Sequence, residues 1–564
     1  MKPLSRPLPE LKPAYDVVVV GSGYGAGVAA SRLARMGLRV CVLERGREIL
    51  PGQFPKTLRD GMRDFRVDTP MGRTGKRDAL FDLRVNDDMS VMVGCGLGGT
   101  SLINGNVMLE PEARVLADDA WPAALRDDAR GTLATGFERA RQMLQPARYP
   151  GRPDLKKLDA MRAASEVLDG DFSLPPINVT FDPGPDGNHA GVAQPACTLC
   201  GDCCSGCNVG AKNTVAMNYL PDAHGHGAEI FTLAAVDHIE ADRSGWRVVF
   251  HQAGGNEEIL QVRGRFVVVG AGTLGSSEIM LRSQAAGLSL SPRLGAGFSG
   301  NGDVIAFGYN NDVAINGIGV GHPAVVDGDP VGPVIAGLID LRRDQPLDRN
   351  IVIQEGAIPS LLAPLLPAMM SGMAPVFGKD SDGGDFFDEA GRMLKSVVKG
   401  AYTGAVHNTQ TFLVMAHDGA DGAMRLDKER LDVIWPDAGK RPVFQLINET
   451  LHKATAASGG TYIANPMWRR ALGRNLISVH PLGGCGLGDD PDHGVIDHAC
   501  RAFGADGMLH EGLYIMDGSI IPRSLGVNPG LTITALAERA MIEFAGEQGL
   551  AFDTERRGGE AALV

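Results

Sequence analysis

The sequence lacks several features that would have settled its class early. Its first residues, MKPLSRPLPELKPAYD, carry several prolines but no apolar core, so they do not read as a secretory leader, and the chain is expected in the cytoplasm. It has no excess of positive charge: 54 Lys and Arg stand against 67 Asp and Glu, a net charge of −13. That excludes nucleic acid as a natural partner and gives no general pull toward anionic lipid. It has no disulfide framework either. Nine cysteines is an odd count, and five of them crowd between Cys197 and Cys207. Internal repeats are absent, as is any disordered linker beyond the termini. Just one stretch, 357–378, runs at membrane-spanning length without a charge, and it contains Pro359, Pro364, Pro367 and Pro375. Four helix breakers would leave backbone groups unpaired in lipid. The expectation is an apolar lid or loop over a greasy pocket; a buried irregular core segment and shallow peripheral contact with a membrane surface are the other two readings.

A length of 564 residues exceeds what one core accommodates, so two large interleaved domains are expected. Hydrophobic content of 44% and charged content of 21% are ordinary for a soluble globular enzyme. The 75 glycines are clustered, in GSGYGAG, GCGLGG and LGGCGLG, which suggests backbone brought close to a ligand.

The first cluster sits in a full dinucleotide-binding context. Residues 15–20, YDVVVV, read as a buried parallel strand and run into Gly21, Gly23, Tyr24, Gly25 and Ala26. A helical pattern follows, then a second strand ending in Glu44, with Arg45 next. Gly21 permits the tight turn, Gly23 the close approach of a pyrophosphate, and Ala26 the packing of helix on strand. The helix N-terminus offers free N–H groups to phosphate, and Glu44 stands where an acid binds ribose hydroxyls. The motif alone does not separate FAD from NAD; its N-terminal position and the Glu44-Arg45-Gly46 run lean to FAD.

The second cluster, 91–108, reads VMVGCGLGGTSLINGNVM, a flexible loop able to wrap a flat polar ring. Here the chain resembles the glucose-methanol-choline (GMC) oxidoreductase family, and within it the cholesterol-oxidase branch. The resemblance implies non-covalent FAD, because the histidine that anchors the flavin in some relatives has no counterpart in 91–108. It places Gly98, Gly99, Ser101, Asn104 and Gly105 near the flavin ring or pyrophosphate. The segment FVVVGAGTLGSSEIML at 266–281 resembles the family's second signature, with Gly272 in its turn, and Val236 is implied near the adenine. LGAGFSGNGD, at 294–303, is similar to the family stretch that follows.

The carboxyl end carries the most specific match. HPLGG from His480 and SLGVNPGLTITALAE around Asn528 are similar to cholesterol-oxidase segments. Alcohol oxidation needs a base for the hydroxyl proton, and histidine titrates in the right range. Asn528 can donate to the substrate oxygen, and Pro529 opens a helix whose N-terminus favours negative charge at the flavin. The resemblance implies His480 and Asn528 as the catalytic pair, Asp517 and Gly518 at the pyrophosphate or ribityl chain, and Glu355 as the glutamate of a second proton transfer that isomerises a 3-oxo product.

Cys197, Cys200, Cys203 and Cys207 have the spacing C-x2-C-x2-C-x3-C, with Cys204 extra. That is bacterial ferredoxin spacing, although in two-cluster ferredoxins the fourth cysteine serves the other cluster. An iron–sulfur cluster that passes electrons outward from the flavin is the expectation, ahead of zinc and of plain thiols or disulfides. The stretch also resembles a segment of iron–sulfur GMC dehydrogenases that act on sugars.

The expected fold is α/β: a discontinuous Rossmann-like FAD-binding domain (1–50, 86–112, 208–304, 470–545) interleaved with an α+β substrate-binding domain built mainly on an antiparallel sheet (51–85, 113–207, 305–469), and a C-terminal tail at 546–564. The expected activity is FAD-dependent oxidation of a secondary, bulky, apolar, sterol-like alcohol, with O2 or an external electron acceptor. The alternatives are a lyase or decarboxylase on the same fold, or a dehydrogenase of a sugar or long-chain alcohol. The sequence does not specify an oligomeric state.

Overall fold

The computed structural model describes residues 2–128, 130–243, 245–255, 258–381, 386–465, 468 and 474–556. Residues 470–473, at one expected domain boundary, and 557–564 of the expected tail lie outside the described residues. In chain order, the elements that build the site are β1 (Ala14–Val20), α1 (Tyr24–Arg35), β2 (Val40–Leu43), β3 (Ile259–Val269), α2 (Gly272–Ala285), β4 (Val304–Tyr309), β5 (Ile351–Gly356), α3 (Leu366–Phe377), α4 (Phe386–Lys399), β6 (Gln410–Ala416), β7 (Leu509–Ile515) and α5 (Gly530–Gln548).

A nine-stranded sheet carries the nucleotide motif. β1 lies between β2 and β3, all parallel, with Val17–Val20 in register with Val40–Leu43 on one side and Phe266–Val269 on the other. The second edge of β3 is shared: its first half pairs antiparallel with Gly245–Gln252, and Val267–Val269 pair parallel with β7. Val17, Val18 and Val19 are wholly buried because helices cover both faces, which explains the unbroken valine run. Connections leave β1 in opposite directions, so a crevice opens at the carboxyl ends of β1, β3 and β7.

α1 is buried all round, packed between α5 and the helix Tyr219–Gly225. This is why half of its sequence is Ala and Gly, and why its one central cation is paired. Arg32 is fully buried; its guanidinium lies 2.6 Å from Glu538 of α5, which also accepts from the Tyr219 hydroxyl at 2.8 Å.

The second large sheet has seven strands, all paired antiparallel, in the order Gly378–Asp380, Thr461–Ile463, β4, β6, β5, Leu338–Asp340, Asp171–Ser173. Helices Lys156–Leu168 and Pro442–Ala456 pack against it. A five-stranded sheet joins the two, and its parallel pair Leu476–Ser478 and Met89–Gly94 delivers the segment that contains His480.

The charge-free stretch 357–378 does not line the active-site cleft, and the lid expectation is corrected here. It forms a short 3-10 turn and α3, which bury Leu366 and Met370 against Tyr309, Ala405 and Ile463 at the far edge of the antiparallel sheet. Two of its prolines are accommodated in the helix, Pro367 in the first turn and Pro375 in the last. The outer side of α3 and the neighbouring α4 leave Met369, Val376, Phe387, Leu394 and Val398 exposed. Among the described residues no helix is long and apolar enough to cross a membrane.

Glu538→Ala should cost about 3–5 kcal/mol of stability, because it strands the buried Arg32 charge. Arg32→Met with Glu538→Leu should recover much of that in denaturant titration. Equal loss in the single and double variants would show that packing, not the stranded charge, sets the cost.

Candidate active site

One cleft of about 370 Å³ collects most of the residues expected to bind the cofactor. Gly21, Gly23 and Tyr24 reach it from the first turn, Glu44 and Arg45 from the end of β2, and Gly99, Asn104 and Gly105 from the second glycine loop. Val236, Gly272, Asp517, Gly518, Asn528 and Pro529 complete the set, together with His480.

Gly25, Ala26, Gly98 and Ser101 do not line the cleft; they hold its walls. A Cβ on Gly25 would sit 1.9 Å from the Met516 carbonyl oxygen, so α1 rests on the chain just after β7 at this point. Ala26 packs against Gly270 in the same way. The Ser101 hydroxyl donates to the Gly98 carbonyl at 2.6 Å and accepts from the Val215 N–H at 3.1 Å, which locks the second loop.

The cleft fits a dinucleotide. An added Cβ on Gly23 or Gly272 would meet nothing within 4 Å, so space stands over both turns. Gly99 has φ +58, which favours glycine, and its Cβ would lie 3.0 Å from the Gly23 Cα, so the two glycine turns press together. α1 and α5 both begin at the cleft with no capping side chain, leaving first-turn N–H groups for an anion. α2 is treated differently: Asp517 accepts from the Gly272 N–H at 2.8 Å and from the Ser276 hydroxyl. The Glu44 carboxyl, 6% exposed, accepts from Ser22 Oγ at 2.6 Å and from the Gly46 N–H at 2.7 Å, and burial raises its pKa. Ser22 Oγ in turn accepts from the Gly98 N–H at 3.0 Å, tying the first glycine turn to the second loop. Cys95, the nucleophile of that loop, stays a thiol, since burial pushes it up to about 12.

His480 and Asn528 meet at the floor of the cleft. The Asn528 amide nitrogen lies 3.4 Å from His480 Nε2, and His480 Nδ1 lies 2.9 Å from Asp303 Oδ1. The other oxygen of Asp303 accepts from the Val479 and His480 N–H groups at 2.8 and 2.9 Å and from Ser478 Oγ at 3.0 Å. Asp303 therefore acts as an acceptor throughout, so His480 Nδ1 carries the hydrogen and Nε2 presents its lone pair. Gln354 fixes the other partner: its amide nitrogen donates to Asn528 Oδ1 at 2.6 Å and its oxygen accepts from Asn528 Nδ2 at 3.3 Å, while the same Nδ2 faces His480.

Asp303 and Gln354 were not among the expected site residues. Asp303 closes the LGAGFSGNGD stretch, where a buried acid following two turn residues was the available signal. Glu355 is a correction. Alternation along β5 turns it away from the cleft, into the helix-covered face. There it lies 2.9 Å from Lys157 and accepts from the Ala336 and Gly337 N–H groups at 2.5 and 3.1 Å, fully buried. It does not touch the cleft, so the second proton transfer has no support from this residue.

The cysteines form a separate small cavity. Cys197, Cys200, Cys203 and Cys207 all line it, and all are free thiols. Among the described residues no group of three or more Cys, His, Asp or Glu converges closely enough to hold one metal ion. That arrangement supports neither the zinc nor the iron–sulfur reading, and none of these cysteines is in a disulfide.

Fold and cleft together define a flavin-type oxidoreductase built on a Rossmann-like nucleotide-binding sheet. Comparison with known proteins narrows this. Two models described as GMC oxidoreductase match residues 188–299 and 408–537, and a pyridine nucleotide-disulphide oxidoreductase model matches 16–66. The chain belongs to the GMC oxidoreductase family, whose members bind FAD. It is 28% identical to a cholesterol oxidase of Mycobacterium tuberculosis over 94% of this chain and 91% of that one. It is also 28% identical to a cholesterol oxidase of Acinetobacter baumannii over 93% and 94%, and 24% identical to a long-chain-alcohol oxidase of Arabidopsis thaliana over 93% and 65%. A solved structure of a fungal aryl-alcohol oxidase superposes with a TM-score of 0.59 at 14% identity, covering 96% of this chain and all of that one.

Gly23→Ala should fold normally yet bind FAD much more weakly, since its methyl meets only the space the dinucleotide needs. Gly25→Ala should lose stability before it loses flavin, through the clash with Met516. Flavin content and melting temperature of both variants check this; a normally flavinated Gly23→Ala would refute the placement.

Proposed function

We propose that the chain oxidises a secondary alcohol, bulky and apolar in the manner of a sterol, to the ketone. The reading rests on one observation, the run Asp303–His480–Asn528–Gln354 at the floor of a dinucleotide cleft. The names of the relatives at 28% identity support the substrate class.

His480 Nε2 accepts the hydroxyl proton, and Asp303 stabilises the imidazolium that results. Asn528 Nδ2 donates to the substrate oxygen and holds the carbinol in place. As the O–H proton moves to His480, the C–H pair leaves as hydride and C=O forms. FAD, non-covalently held, supplies the acceptor for that hydride. The N-terminus of α5, opening at Pro529 and Gly530 on the cleft, favours the negative charge that accompanies the transfer. The electrons go on to O2 or to a separate acceptor. A long-chain alcohol is the second reading, favoured by the likeness to a long-chain-alcohol oxidase.

Anaerobic bleaching of the flavin by a sterol alcohol, set beside a long-chain primary alcohol, tests the substrate class; no bleaching by any alcohol would sink the activity. His480→Ala should slow bleaching by about 10²–10⁴-fold with FAD still bound. Asp303→Asn, which keeps the turn but weakens the hold on Nδ1, should slow it by roughly 10-fold or more. Bleaching at the unmutated rate in His480→Ala would remove the proposed base.

A further inference from the structure

Helix α4 is turned inside out. Its inward edge is polar: Arg392 Nε donates to Asn310 Oδ1 at 2.8 Å, and its guanidinium lies 3.0 Å from Asp312. Ser396, also on that edge and buried, accepts from the Val406 N–H at 3.0 Å and donates to the Thr403 carbonyl. The outward edge is apolar. Phe387, Gly391, Leu394 and Val398 stand at i, i+4, i+7 and i+11, which is one face of a helix. Phe387, Leu394 and Val398 are 88%, 64% and 71% exposed. A helix held on a fold ordinarily buries its apolar stripe and shows its polar one.

α3 adds to this surface. It carries no charge, buries Leu366 and Met370, and leaves Met369 and Val376 exposed, with Leu365 exposed just before it. The two helices pack on each other, with Met373 and Met393 in one cluster beneath them. Their outer faces make a platform about 20 Å long and two helices wide. An apolar patch of this kind marks an interaction site. Glycine stands in both helix interiors, and a Cβ on Gly372 or Gly391 would meet nothing within 4 Å. Glycine there costs about 1 kcal/mol relative to alanine, and no contact within the chain requires it.

The charges beside the stripe point to its occupant. Asp388, Lys395 and Lys399 are exposed and stand at i, i+7 and i+11, so they share one flank, the acid toward the N-terminus and the bases toward the C-terminus. A second copy of α4, antiparallel and related by a two-fold axis passing between Arg392 and Met393, brings that flank against itself. Asp388 of each copy then falls between Lys395 and Lys399 of the other, about 3 Å along the axis from each. Leu394 of each copy falls opposite Gly391 of the other, where the missing side chain leaves room. A parallel arrangement would place the flanks on opposite sides and lose both matches. An anionic lipid surface fits less well, because the chain carries a net charge of −13.

We propose that the α3–α4 face is a self-association surface, through which two copies of this chain form a two-fold dimer with α4 antiparallel to α4. The contact is isologous, the same patch on both copies. Neither helix lines the cleft, so both flavin clefts stay open in the dimer.

The test is the mass of the flavin-loaded full chain in solution, followed by sedimentation velocity through a dilution series. Twice the chain mass is expected, falling to the single mass on dilution. Leu394→Glu should weaken association by more than about 100-fold, with flavin content and the melting temperature of the dilute protein unchanged. Gly391→Leu should also weaken it, even though leucine favours the isolated helix. Asp388→Lys should weaken it by about tenfold. Adding Lys395→Asp and Lys399→Asp to that variant should restore most of the loss, because the flank is then reversed on both copies. A single mass at every concentration would overturn the proposal. Association unchanged in both Leu394→Glu and Gly391→Leu would do so too, by placing the contact elsewhere, as would a monomer that floats with neutral phosphatidylcholine vesicles. Failure of the charge reversal to restore association would overturn the antiparallel pairing.

Discussion

The turn Ser299–Asp303 is the constraint on which the active site depends. Asp303 takes the His480 side chain and two backbone N–H groups of that segment. Two residues earlier, Asn301 Oδ1 accepts from the Leu525 and Gly526 N–H groups, and Asn301 Nδ2 donates to the Val527 carbonyl at 2.9 Å. One five-residue turn therefore positions both segments that carry the proposed catalytic pair, although His480 and Asn528 lie 48 residues apart. The turn is itself anchored: Asp418 accepts from Ser299 Oγ at 2.7 Å and from the Gly302 N–H at 2.9 Å. A side chain at Gly302 would strike the Ala416 backbone at 2.6 Å, so glycine is required where the turn meets β6. Buried hydrogen bonds of this kind are costly to leave half made, which is what makes the arrangement singular.

The antiparallel sheet contributes to the site through a single register. Gln354 and Glu355 are adjacent and both fully buried, yet alternation sends one to Asn528 and the other to Lys157. A shift of one residue would exchange a neutral amide for a carboxylate beside Asn528. The buried Lys157–Glu355 pair opposes that slip, because either charge would be left uncompensated on the wrong face.

Much of this was legible in the sequence where the chemistry is local. The strand, turn, helix and acid from Tyr15 to Glu44 announce themselves because each part follows the last within a few residues. The Cys197–Cys207 spacing places four thiols around one cavity for the same reason. What could not be read are pairings made across the chain. Asp303 and Gln354 look like ordinary polar residues until folding brings them to His480 and Asn528. The expectation for Glu355 failed by one strand position, a distinction that composition does not carry. The stretch 357–378 failed differently. Lack of charge marks a segment that can be buried but does not say against what, and here the partner is the outer edge of the antiparallel sheet.

The glycine loop between the two cavities shows how one peptide geometry can serve both. The Asn104 carbonyl points at Lys212, on the cysteine side. The peptide unit is planar and trans, so the Gly105 N–H of that same unit points the opposite way. Gly105 lines the cleft, and a Cβ there would lie 2.6 Å from the tip of the Ile335 side chain, which would have to turn aside. Lys212 thus holds a carbonyl on one side and thereby aims a donor at the other. A buried lysine whose amine meets only carbonyl oxygens, those of Leu102, Asn104 and Cys203, gains little for stability after its desolvation is counted. Its place is better explained by the orientation it imposes on a loop that lines the cleft, while its charge faces the thiols behind.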